Sequence, residues 1–228
     1  MQERWLTAAF AGLLCCAGPV AGQDLGSQPP GIASEIALLG LPDTFLAAAS
    51  DDRRDDEWEI TKLKASPLAV AVAAPKGWVV AGGAPDAVFI ALAADSSAIV
   101  AMPPLIPTDL NPLTPVTNGD LRQTAALISS GYERAVVAMG QARITDHLWL
   151  WFDLGAVDST LTAAPTVVPV ATAQLWIFSS VIEQHQVVVS FTLRLAPGSD
   201  RQEREAQARR AGPIFARMLE RLSITRTP

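Results

Sequence analysis

Few side chains in this chain can carry chemistry: there are two histidines, one tyrosine and two cysteines, the cysteines adjacent at Cys15 and Cys16. Asp146 precedes His147, the composition of a carboxylate–imidazole dyad. Strand neighbours point to opposite faces, however, so the pair is not set up for general-base work. Glu183 and His185 lie two apart and can share one side of a turn, where they would give a metal two ligands and leave a structural zinc set incomplete. No Gly-x-Ser-x-Gly nucleophile elbow occurs. Gly82-Gly83 ahead of Pro85 reads as a turn rather than a phosphate loop. Residues 51–59 hold six acids and two arginines, but without the alternating ligands and turn glycine of an EF-hand loop. Paired carboxylates need a partly buried setting to separate their pKa values for glycosidase-type catalysis. A run of eight charges in nine residues opposes such burial. The expectation is a protein with no catalytic residue, cofactor or metal ligand, and not an enzyme. The competing class is an envelope hydrolase or metal-dependent enzyme built on His147, His185 and Glu183.

Both cysteines fall in a segment that reads as an address. Trp5–Ala17 is uncharged and apolar, and Val20-Ala21-Gly22 supplies small residues ahead of a cut near Gln23, the pattern of a cleaved signal peptide over residues 1–22. A lipoprotein is disfavoured, because Leu14 precedes Cys15 and Cys15 precedes Cys16 where a small residue would be needed. A retained anchor is disfavoured as well, since Trp5–Gly22 is short for a bilayer and contains Gly12, Gly18 and Pro19. The expected location is periplasmic or secreted, with membrane contact only through an uncleaved signal segment. The mature chain would be cysteine-free, which excludes a disulfide scaffold, thiol redox chemistry and cysteine-ligated zinc. Of the net charge of −6, residues 51–59 supply six negatives and two positives, or minus four. No basic stripe remains to hold a phosphate backbone, so nucleic acid is not an expected partner.

The elements that must position these residues follow from punctuation and period. Residues 23–56 read as a flexible lead-in, a short helix from Ser34 interrupted at Pro42, and the acidic segment. An α+β domain is expected over 57–228. Within it, Glu57–Leu63 alternates and Leu68–Ala74 is an apolar strand closed by Pro75-Lys76-Gly77, with proline and glycine suited to positions two and four of a type I turn. Val88–Ala93 and Ala98–Met102 flank a hairpin at Ala94–Ser97. The prolines at 103, 104, 107, 112 and 115 exclude a central strand and mark a long loop. A helix capped by Asn118 or Asp120 runs to about Gly131, with Leu121, Ala125, Leu127 and Ile128 inward. Strands near 134–144, 147–154, 173–182 and 186–195 follow, the last two joined by a turn at Glu183-Gln184-His185. Trp149 and Trp151 alternate with Leu148, Leu150, Phe152 and Leu154, so both faces of that strand must be covered. Ser199 and Gln202 match a capping box. Pro213 should break or kink the helix that follows, ahead of a stripe of Ile214, Phe215, Met218, Leu219 and Leu222.

Four stretches carry a resemblance: Ala74-Pro75-Lys76-Gly77-Trp78, the Asn118–Gly131 helix, the paired strands at Trp176–Phe178 and Val187–Leu193, and Phe215–Ile224. Their order, from Leu63 onward, resembles the PsbP/Mog-like superfamily, including bacterial exported DcrB-like proteins. The resemblance implies a mainly antiparallel β-sheet flanked by helices, and a non-enzymatic module that binds or stabilises another protein. The acidic extension and the long proline loop depart from it.

For such a module the sequence offers two neutral, proline-bearing segments, 103–117 and 155–170. Both read as loops that present Leu105, Ile106, Leu110, Leu113, Leu161 and Val167 to a partner or fold them back over the sheet. Trp58 beside the acids is a further contact candidate. The expected function is an exported accessory protein that binds an envelope protein. The alternative is a small-molecule or lipid carrier with Trp149, Trp151 and Trp176 lining a cavity.

Overall fold

The computed structural model describes residues 41–42, 44–45, 57–65, 67–84, 87–109, 115–132, 134–163, 166–195 and 199–226. The expected leader, the helix starting at Ser34 and most of the acidic run lie outside them. Among the described residues eleven strands and two helices occur in the order β1 (Trp58–Ala65), β2 (Leu68–Pro75), β3 (Val79–Ala84), β4 (Ala87–Leu92), β5 (Ala98–Met102), β6 (Ile106–Pro107), α1 (Asn118–Tyr132), β7 (Ala138–Ile144), β8 (His147–Ala163), β9 (Thr166–Ile182), β10 (His185–Arg194), α2 (Arg201–Glu220) and β11 (Ser223–Arg226). The large sheet has the order β3-β4-β5-β10-β9-β8-β7, with β6 also paired to β10; a small sheet runs β1-β2-β11. Every pairing is antiparallel, so the expected α+β architecture with a mainly antiparallel sheet is the one observed.

Local chemistry sets the turns. Glu183 and Gln184 both have positive φ, 50° and 60°, the backbone of the two-residue hairpin turn whose twist matches the flanking strands. At Ser97 the N–H and the hydroxyl both donate to the Asp95 carboxylate, at 2.9 and 2.6 Å, closing the β4–β5 connection. These bonds hold the Asp95 pKa below its usual range. The turn after β2 sits one residue later than its composition suggests. The Trp78 N–H bonds to the Pro75 carbonyl at 3.1 Å, which puts Gly77 third, where its φ of +87° is the requirement of a type II turn.

Alternation on the central strands produces two cores. On one face Trp149, Trp151, Trp176, Phe178, Val189 and Phe191 join Phe215, Met218 and Leu219 of α2 and Val70 and Val72 of β2. On the other, Leu150, Phe152, Leu154, Leu175, Ile177 and Val188 meet Leu121, Ala125 and Ile128 of α1. Leu127 is 38% exposed rather than inward, because the buried stripe of α1 runs through 121, 125 and 128 and leaves 127 off its axis. Thr117 caps α1, where Asn118 or Asp120 was expected. Its hydroxyl and the Asp120 carboxylate exchange bonds with each other's backbone N–H, at 3.3 and 3.1 Å.

Three further expectations need correction. The capping box of α2 is Asp200 with Glu203, one residue after Ser199 and Gln202, since a carboxylate at the helix start also gains from the helix dipole. Pro213 does not break α2, which continues through it. Proline costs a helix interior about 3 kcal/mol, and burial of Ala211, Gly212, Pro213, Phe215 and Ala216 against the core offsets it. The 155–170 segment is paired strand over most of its length rather than loop, with Leu161 opposite Val168 and Thr160 opposite Pro169.

Candidate binding surface

The residues with chemical potential are placed at strand ends and not brought together. His147 opens β8 and His185 opens β10. The Glu183 carboxylate is taken by Arg226 at 2.8 Å, and the His185 Nδ1 lies 2.7 Å from the Glu183 carbonyl. Among the described residues no three His, Cys, Asp or Glu side chains converge on one point. His147 lines a cleft of about 300 Å3 between the β7–β8 turn and the junction of α2 with β11.

Trp58 is 6% exposed, buried rather than displayed. The guanidinium groups of Arg217 and Arg221 lie 5.4 and 5.2 Å from its ring centroid, so its cation–π partners belong to the fold. Leu105 packs on the α2-side core and Ile106 on the α1-side core. Ile106 also pairs with Gln186 as part of β6, and the Thr108 N–H bonds to the Gln184 carbonyl at 2.9 Å. Further along, the buried Gln141 amide grips both the N–H and the carbonyl of Val116 at 3.0 Å. The described parts of the proline-bearing loop are therefore folded back on the sheet. Leu110 and Leu113 lie outside the described residues. Trp149, Trp151 and Trp176 are 2%, 8% and 0% exposed, core side chains of which only Trp149 reaches the cleft.

Sequence reasoning missed the Asp153 cluster, because its members are brought together only by register. The Asp153 carboxylate accepts from the Gly155 N–H at 2.7 Å, the Trp176 indole N–H at 2.9 Å and the Gln174 amide at 3.2 Å. Arg134 donates to the Gly155 and Ala173 carbonyls at 2.9 and 2.8 Å. Burial pushes the Asp153 pKa up, against the pull of these donors and of Arg134. Burial likewise raises the Tyr132 hydroxyl. Two register shifts follow along β8, between Asp153 and Ala156 and between Val157 and Ser159. The cluster holds an irregularity in the central strands.

The surface that sequence reasoning also missed is the half of the α1 side of the large sheet that α1 does not reach and that no other described residues are shown to cover. Cross-strand partners share a face. One row runs Ala81–Ile90–Ala101–Ser190–Ile177–Phe152 and a second runs Val79–Leu92–Ile99–Thr192–Leu175. Helix α1 buries the β8–β9 end of both rows. At the other end Val79 is 63% and Ile90 41% exposed, and β3, β4 and β5 contain no charged residue. Strand β3 is also an end of the large sheet. The signal for this surface was present in the sequence as three uncharged strands; which of their faces goes uncovered depends on where α1 docks.

No family model matches the chain, and no curated protein matches it. Among solved structures the chain is similar to cyanobacterial PsbP (CyanoP) from Synechocystis sp. PCC 6803, with TM-score 0.44 and 9% identity over 76% of this chain and 95% of that one. It is likewise similar to a mutant of protein Mog1, with TM-score 0.44 and 12% identity over 75% of this chain and 97% of that one. The likeness carries no function across.

Proposed function

We propose that this protein is a non-enzymatic accessory module of the cell envelope that binds another protein on the uncovered β3–β4–β5 face. The observation that carries the reading is the uncharged, apolar face on the strand that ends the large sheet. Exposed edges are normally defended by charge. Here β1 carries Glu59, Lys62 and Lys64, β7 carries Arg143 and β11 carries Arg226, whereas β3 carries none. The occupant is an extended, uncharged segment of the partner, adding a strand beside β3 and laying alternate side chains over Val79 and Ile90. A charged segment would be desolvated there without a counter-charge. The apolar Trp5–Ala17 stretch followed by Val20-Ala21-Gly22 supports export, and hence a partner in the envelope.

The test is site-specific photocrosslinking in cells with the full chain, from position 79 and, as a control, from exposed position 122 on α1, followed by mass spectrometry. One dominant envelope protein captured from 79 and not from 122 is expected, with Ile90→Lys abolishing capture while leaving the circular dichroism spectrum unchanged. Absence of a recurring partner at 79, or equal capture from both positions, would overturn the reading.

A further inference from the structure

We infer that the cleft at the end of α2 binds a small organic cation with an apolar body. The cleft lies on the opposite side of the large sheet from the proposed docking face and is independent of it. Its floor is apolar, formed by Trp149, Ile182, Leu219, Leu222 and Ile224. Its volume, about 300 Å3, is at the small end of ligand sites, enough for a single ring with a short arm.

The rim decides the charge. Glu220, exposed, is the last residue of α2 and lines the mouth. The C-terminus of a helix carries partial negative charge, so carboxylate and helix end act in the same direction. Arg221 is the one arginine of the lining, and its guanidinium is drawn to the ring of Trp58, 5.2 Å from the centroid, a residue that does not line the cleft. His147 also lines the cleft, and its ring nitrogens can take part in hydrogen bonds. The Thr145 hydroxyl is bonded to the Ile144 carbonyl at 2.6 Å, while Ser223 adds a further hydroxyl at the mouth. The indole of Trp149 gives a cation a polarisable surface in addition to apolar contact. An anion would meet Glu220 and the helix end, and an uncharged ring would use the floor alone.

A matched pair of probes tests this on the full chain, phenethylamine against phenylacetate, followed by NMR shifts of the Trp149 indole. Phenethylamine is expected to bind with a Kd of about 1 mM or tighter, and phenylacetate at least about tenfold more weakly. Glu220→Gln should weaken phenethylamine about threefold to tenfold without altering the spectrum elsewhere. Ser223→Lys, which places a cation at the mouth, should abolish binding. No binding of the amine, equal binding of both probes, or an unchanged Kd in Glu220→Gln would overturn the inference.

Discussion

Asp153 is a buried acid held by three donors, and its behaviour with pH follows from which influence dominates. Burial raises its pKa above the ordinary carboxylate value, more than the Gly155, Trp176 and Gln174 bonds and the Arg134 charge lower it. An acid with a higher pKa folded than unfolded keeps its proton in the native state at pH values where the unfolded chain has lost it. Its contribution is therefore fully present below the unfolded pKa and is lost as pH rises through the folded one. Asp153→Asn removes that decline. It also turns an amide donor toward three donors, which should cost about 1–3 kcal/mol at every pH. Urea unfolding at steps through the window just above the carboxylate range should show a slope in the native chain that the variant lacks, and identical slopes would refute the assignment. Phe45 works by packing alone. It is 3% exposed, and its ring centroid lies 5.3–5.9 Å from those of Trp176, Phe178, Phe191 and Phe215. Phe45→Ala should cost about 3–5 kcal/mol, measurable as a lowered urea midpoint. A cost under about 1 kcal/mol would mean that the 41–45 segment is not part of the folded core.

Helix α2 is where local and long-range demands meet. Asp200→Ala removes one bond of the capping box and should lower stability by about 1 kcal/mol, whereas Ser199, in the expected cap position, is buried and its carbonyl accepts from the Arg204 guanidinium at 2.9 Å. Gly212 is required by close approach, since a Cβ there would collide with the Thr44 backbone. Gly212→Ala should displace the segment that holds Phe45, so its cost and that of Phe45→Ala should fall well short of adding in a double-mutant cycle. Full additivity would separate the two sites. What the sequence reveals at this scale is what short-range chemistry decides. The hairpin at Glu183-Gln184, the alternation around Trp149 and the α1 stripe at Leu121, Ala125 and Ile128 were all legible. What contacts across the fold decide was not. Proline at 213 reads locally as a break until burial of its neighbours outweighs it, and residues 155–170 read as loop because Pro169 hides a strand pairing. Phe45 reads locally as part of the short helix expected from Ser34, and nothing near it in sequence shows that it reaches the aromatic core. At the candidate site the uncharged strands could be read, but their open face depends on how far α1 reaches.

The large sheet carries two cores of unequal depth, and this asymmetry links stability to the proposed docking face. Helix α2 and the small sheet bury the aromatic core on one side. Helix α1 contributes Leu121, Ala125 and Ile128, with Tyr132 packed against them, to the smaller core on the other. The α1 connection is secured chiefly by the Gln141–Val116 bonds at its start and by Arg134 at its end. Elements with few buried apolar contacts open at lower free energy than the global transition. Native-state hydrogen exchange should therefore find α1 amides exchanging through a sub-global opening, at least about tenfold faster than α2 amides between 211 and 219. The rows that begin at Val79 and Ala81 continue beneath α1 to Leu175, Ile177 and Phe152, so such an opening would enlarge the apolar face without disturbing the sheet. A partner that covers only β3–β5 leaves the α1 rate unchanged, whereas one that uses the whole row binds the opened form and accelerates α1 exchange. Equal protection of α1 and α2 in the free protein would show a single cooperative unit and remove this route.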